Sequence, residues 1–133
     1  MKSYYKIELR ILSLKGQRND ELDYETICYN DGYIIIIDNE IKGFLTDDYI
    51  AGKISEKSLN LEVISNGIIQ YLCLESNFQE EIIFPGEYYV HGSINSKEEI
   101  LAKIKFVEKI SNLSKIEDID SHLNEVKGIY KIP

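Results

Sequence analysis

"YIIIIDNEIKGFLTDDYIAGKIS", Tyr33 to Ser55, holds three apolar arms separated by two short polar breaks, Asp38-Asn39-Glu40 and Asp47-Asp48. The first arm is an unbroken isoleucine run. Isoleucine is β-branched, stiff at χ1 and suited to a pleated surface. The run shows no polar alternation, so both of its faces are predicted to be covered. The breaks are long enough only for tight reversals. The stretch therefore reads as two consecutive hairpins, the second with an acidic tip. Gly43 and Gly52 lie one in each arm of that second hairpin. Glycine inside a strand marks a bulge or a close backbone approach. Two facing glycines predict a strongly bent ribbon, as where a sheet curls toward closure.

The pattern extends in both directions. Upstream, "YKIELRIL" places Tyr5, Ile7, Leu9 and Ile11 on one face and Lys6, Glu8 and Arg10 on the other, which is a half-buried strand. A polar loop from Lys15 to Asp23 and a strand "YETICY" follow, and Asn30-Asp31-Gly32 reads as a hairpin turn. Downstream, "LNLEVIS" and "IIQYLCLE" flank Asn66-Gly67, and "EEIIF" and "EYYVHGSI" flank Pro85-Gly86. Turn signals recur about every 8–12 residues, the spacing of an all-β meander, sandwich or barrel.

At Asn95 the period changes. "SKEEILAKIKFVEKISN" opens with a capping box, Ser96 and Glu99, and carries Ile100, Leu101, Ile104, Val107 and Ile110 as a helical stripe. This predicts a helix over 97–111, with Ile104 and Val107 buried and Lys103 and Lys105 outside or at the rim. "SKIEDIDSHLNEVKG" repeats the signature with Ser114 and Glu117 and predicts a second helix over 115–127, stopped at Gly128. "IYKI" would add a last short strand. The expected fold class is mainly β (α+β), in one domain over 1–133. Residues 1–95 form an antiparallel meander of roughly eight to nine strands, strongly curved or barrel-like. Residues 96–133 form a cap of two C-terminal helices packed on it.

The composition suits a single globular domain, with 133 residues and 44% apolar content. Lysine far outnumbers arginine and asparagine is frequent, a bias of low-GC genomes that points to a bacterium or its phage. "MKSYYKIELR" lacks the apolar core of a signal peptide, and "YIIII" is too short to span a bilayer. Cys28 and Cys73 lack metal-type spacing and read as reduced strand residues of a cytoplasmic protein.

The net charge is −8. The whole excess lies before Ser96. Between positions 20 and 48, Asp20, Glu21, Asp23, Glu25, Asp31, Asp38, Glu40, Asp47 and Asp48 face Lys42 alone. Such a surface repels phosphate backbones and attracts a basic protein. In a meander, alternate turns share an end of the sheet. With a turn at 30–32, that rule gathers Asp20, Glu21, Asp23, Asp38, Glu40 and Glu56 at one end as the main acidic site. Asp31, Asp47 and Asp48 form a secondary site at the other.

No motif names a reaction. His91 reads as a strand residue and His122 as a surface residue of the second helix; neither has a nucleophile or base partner in the sequence. The acidic turns lack the ligand spacing of a calcium loop, and no glycine-rich phosphate loop opens a helix. The sequence thus implies no catalytic residue, no metal and no cofactor. Its expected function is that of a non-catalytic acidic protein-binding inhibitor, of the toxin-immunity or phage anti-defence type. Its partner would be a basic, nucleic-acid-handling protein, with no direct contact to nucleic acid or membrane. The alternative is a small-molecule-binding β-barrel, with interior tyrosines around a cavity.

Overall fold

The structure is a computed structural model that describes residues 2–18, 21–55, 58–65, 68–75, 86–88, 93–94 and 97–133. Side chains are described for 2–10, 16, 25, 29–55, 59–65 and 104–133. The Asn66-Gly67 and Pro85 turn positions and Ser96 lie outside the described residues.

The strands are β1 (Lys2–Arg18), β2 (Glu21–Ile37), β3 (Glu40–Leu45), β4 (Asp48–Ile54), β5 (Ser58–Ser65), β6 (Ile68–Glu75), β7 (Gly86–Tyr88), β8 (Ser93–Ile94) and β9 (Lys97–Ile110). One helix, α1 (Leu113–Ile129), follows. Among the described residues every strand pairing is antiparallel. The two hairpins expected between Tyr33 and Ser55 are present as β2–β3 and β3–β4.

The meander proper is β1 to β6 in consecutive order, six strands rather than eight or nine. One reversal is missing because Asn30-Asp31-Gly32 is not a turn. Strand β2 runs straight through it, with Asn30 opposite Leu9 and Asp31 opposite Glu8. Gly32 serves close approach instead: a Cβ there would fall on the carbonyl oxygen of Phe44 in β3. Gly43 meets the Tyr33 carbonyl oxygen in the same way. Gly43 and Gly52 do not face each other, since their β3–β4 partners are Ile50 and Ile41.

The segment expected to be the first helix is strand β9. It runs antiparallel along the edge of β1 that β2 leaves free, from Tyr4↔Ile110 to Ser13↔Ile100. The same apolar residues satisfy a period of two as well as a helical stripe. Ala102, Ile104 and Phe106 alternate with Lys103 and Lys105, and a register shift between Lys6 and Ile7 takes up Val107. Ile110 then emerges on the opposite face. The open edge of β1 decides between the two periods, because its backbone groups need partners. Ile104 is buried as expected and Val107 is half-buried, but both lie on a strand.

The sheet is curved without being a closed barrel. The ladder runs from β9 through β1 to β6 and narrows to one pair, Leu72↔Ile94, where β6 meets the two-residue β8. Curvature shows in the core. Ile7, Ile34, Ile41, Ile50, Leu61, Ile104 and Phe106 come from β1, β2, β3, β4, β5 and β9, yet they form one buried cluster. The other face of β1 to β4 carries Tyr4, Ile35, Phe44 and Tyr49, covered by Ile119, Leu123 and Val126 of α1. Ile34 and Ile35 belong to opposite clusters, so the isoleucine run is covered on both faces.

Helix α1 starts two residues earlier than expected. Its N-cap is Asn112, whose side chain accepts from the Lys115 N–H at 3.1 Å. It passes through Gly128 and ends in a Schellman arrangement rather than a strand. Lys131 N–H donates to the Gly128 carbonyl and Ile132 N–H to that of Lys127, with Lys131 at φ 55. Among the described residues, no helix is long and apolar enough to cross a membrane.

Candidate acidic interface

The acidic residues are redistributed by the missing reversal. Glu21 and Asp23 lie on the backbone at the far end of the β1–β2 hairpin, opposite Arg18 and Gly16. Asp38 and Glu40 lie at the other end of the sheet, in the β2–β3 hairpin. There Glu40 is the cross-strand partner of Lys53, and both line a shallow concavity with Ile37, Asp38 and Asn39. Asp20 and Glu56 lie outside the described residues, as does His91; of Cys28 and Cys73 only the backbone, in β2 and β6, is described. Of the six acids expected to share one end, the four described ones lie at two opposite ends of β2.

The second set is gathered. The β3–β4 hairpin closes through a two-residue loop, Thr46-Asp47, between the paired Leu45 and Asp48. Thr46 has φ 53, the left-handed region that a hairpin loop of this kind reserves for glycine. A β-branched residue there is strained, and it persists only where its surroundings hold it. Two contacts do so. The Thr46 N–H donates to the Asp31 carbonyl of β2 at 3.1 Å. The Thr46 carbonyl lies 3.0 Å from His122 Nε2 of α1, which donates to it.

His122 is fixed in turn. Its ring meets Phe44 edge-on with centroids 4.5 Å apart. Asp47 Oδ1 lies 3.6 Å from Nε2 and Glu125 Oε2 lies 3.4 Å from Nδ1, ion pairs only when the imidazole is charged. Both carboxylates remain largely in solvent, with side chains 71% and 70% exposed. Asp31 is exposed beside the turn and Asp48 is half-buried.

Further contacts fix α1 on the sheet and so fix His122. The Tyr4 hydroxyl donates to Asp120 at 2.9 and 3.1 Å. Burial, the bond to Asp120 and the charge of that carboxylate push the Tyr4 phenol up to about 12. Nearer the start of the helix, Lys115 Nζ sits 4.8 Å from the Tyr33 ring centroid.

The arrangement can present fixed negative charge to a basic surface. Among the described residues, no group of three or more His, Cys, Asp or Glu is placed to hold a metal ion. The sequence alone does not mark Thr46, His122 or Glu125 as parts of this site. His122 and Thr46 are 76 residues apart, and no local pattern joins them. Only the Glu125 spacing, three residues after His122 on one helix face, was visible in the sequence.

Compared with protein-family models, with curated proteins and with solved structures, the chain matches none of them.

Proposed function

We propose that this protein is a non-catalytic protein-binding inhibitor, of the toxin-immunity or phage anti-defence type. Its acidic rim around Thr46-Asp47 covers a basic, nucleic-acid-handling surface of its partner. The supporting observation is the way the turn is held. A strained backbone reversal is clamped from β2 by Asp31 and from α1 by His122, and exposed carboxylates stand around it. Ordering has already occurred before a partner arrives, which lowers the entropy cost of binding. The charge speeds encounter with a basic surface and excludes acidic ones.

The small-molecule alternative has less support. The concave side over the described residues is filled by Phe106, Ile7, Ile34, Ile41, Leu45, Ile50 and Ile104, each buried.

The test is capture from nuclease-treated host extract, with the wild-type chain and with the triple variant Asp31→Lys, Asp47→Lys, Glu125→Lys. The expected result is a basic protein retained by the wild type and weakened at least about ten-fold by the variant, with retention falling as salt rises. Its nucleic-acid binding should be competed by the wild-type chain. A specific partner that binds both chains equally, or whose nucleic-acid handling is unaffected, would overturn the proposal.

A further inference from the structure

Strand β2 is paired unequally along its two edges. Strand β1 accompanies it from Glu21 to Ile37, whereas β3 accompanies it only from Gly32 to Ile37. The ladder on the β3 side ends with the Thr46 N–H donating to the Asp31 carbonyl. That bond shows which way the backbone of Asp31 points: away from β1. By the two-residue period, the N–H and C=O of Tyr29 point the same way. No described strand pairs with this edge between Glu21 and Tyr29. Its length is about 30 Å at the usual strand rise.

An open edge is a template for a further strand, and soluble proteins restrict what may pair with it. Here the restriction is charge. From Glu21 to Asp31 the strand carries Glu21, Asp23, Glu25 and Asp31, with no lysine or arginine. Ile27 is a bulge with no β1 partner, so the period is broken below Cys28, but a second copy of this strand would still bring only acids, and no base, to face these acids. Like charges directly opposite are unfavourable, so the pattern disfavours self-association. The same pattern favours a strand that bears lysine or arginine at cross-strand positions. Glu25 and Tyr29 are exposed, and the Tyr29 ring lies 5.5 Å from the Arg10 guanidinium on β1.

We infer that the edge of β2 between Glu21 and Tyr29 accepts an extended, lysine- or arginine-bearing segment of the partner protein as an added strand. The inference rests on the basic-partner reading and deepens it. Main-chain hydrogen bonds would supply the pairing and the acids the choice of partner. The edge is continuous with the acidic rim at Asp31, so one partner can engage both.

The probes are four labelled ten-residue peptides. One alternates lysine with valine, one is its copy N-methylated at alternate residues, one alternates lysine with glycine, and one alternates glutamate with valine. Binding is read by fluorescence anisotropy at low and moderate salt. Two variants locate the site. Tyr29→Pro removes an outward-facing N–H, a change an edge strand tolerates, and Tyr29→Ala keeps it. Circular dichroism checks that both fold.

The lysine–valine peptide is expected to bind, and to bind at least about ten-fold more tightly than the other three. Tyr29→Pro should weaken it by a similar factor and Tyr29→Ala by less than about three-fold. If the N-methylated and lysine–glycine peptides bind as well as the lysine–valine peptide, strand addition is overturned while the basic-partner reading stands. Binding of the glutamate–valine peptide at equal strength would overturn the charge selection. Absence of binding by any probe would also overturn the inference, and the triple variant at Asp31, Asp47 and Glu125 then judges the partner reading separately.

Discussion

The Tyr4 hydroxyl donates to both carboxylate oxygens of Asp120, at 2.9 and 3.1 Å, and so joins the first strand to the last helix. The phenol is raised from 10.0 to about 12, first by burial and then by Asp120. A folded-state value above the unfolded one means that the neutral form is favoured by folding. The resulting stability is fully present below pH 10 and is lost as pH rises through about 12. Thermal melts between neutral pH and pH 11.5 should therefore show a steep alkaline loss. Tyr4→Phe should cost about 1–2 kcal/mol at pH 7 and flatten that loss. A residual slope should remain, because burial also raises Tyr5 and Tyr49. An unchanged alkaline slope in Tyr4→Phe would remove Tyr4 as its source.

Thr46→Gly tests the strained turn. Glycine adopts the observed φ of 53 without steric cost, so denaturant unfolding should show a gain of about 0.5–1 kcal/mol. His122→Ala removes the donor to Thr46 and the contact with Phe44, and should lose about 1 kcal/mol. In the proposed function it should also slow partner association, since the acidic turn would no longer be held. A stabilising His122→Ala would show that the imidazole does not clamp the turn.

Gly43→Ala tests the close approach of β2 and β3. The added methyl would meet the backbone carbonyl of Tyr33, which cannot rotate aside as a side-chain end can. Separation of the two strands should cost about 2–3 kcal/mol, as for other overpacked sites. Gly16→Ala is the control, since among the described residues nothing lies within 4 Å of its Cβ position. Equal effects at the two sites would mean that chain entropy, not the approach of the strands, governs both.

Ile104→Ala should cost about 2–5 kcal/mol, because Ile104 is 1% exposed within the concave core. The prediction is the same for a buried helix or a buried strand. Hydrogen exchange separates them: the β1–β9 ladder should protect amides in both Ile7–Leu9 and Ile104–Phe106, and this variant should weaken both together. Loss of protection in β9 alone would argue against the pairing.

Much of the architecture is legible in the sequence. Period-two alternation in "YKIELRIL" and "LNLEVIS" identifies strands whatever their neighbours are, because a strand half buried must place apolar residues on one side. The same holds for the doubly covered isoleucine run, for the two hairpins with turns read at Asp38-Asn39-Glu40 and Asp47-Asp48 (the second loop falls one residue earlier, at Thr46-Asp47), and for a last helix built on Ile116, Ile119, Leu123 and Val126. These are local properties: each depends only on residues a few positions apart.

Three features were decided by tertiary structure. Asn30-Asp31-Gly32 has the composition of a turn, yet Gly32 is required by the Phe44 carbonyl that crosses beside it, a demand from a strand twelve positions later. Residues 97–110 satisfy the helical and strand periods alike, and the unpaired edge of β1 selects the strand. The acidic residues cluster according to the number of chain reversals between them. With no reversal at 30–32, Asp38 and Glu40 leave the β1–β2 tip, while the Asp31 carbonyl accepts from the Thr46 N–H. Periodicity reports which face a residue needs to bury, and that is encoded locally. Which edge supplies its hydrogen bonds, and which acids end up side by side, depends on strands that only the folded chain brings together.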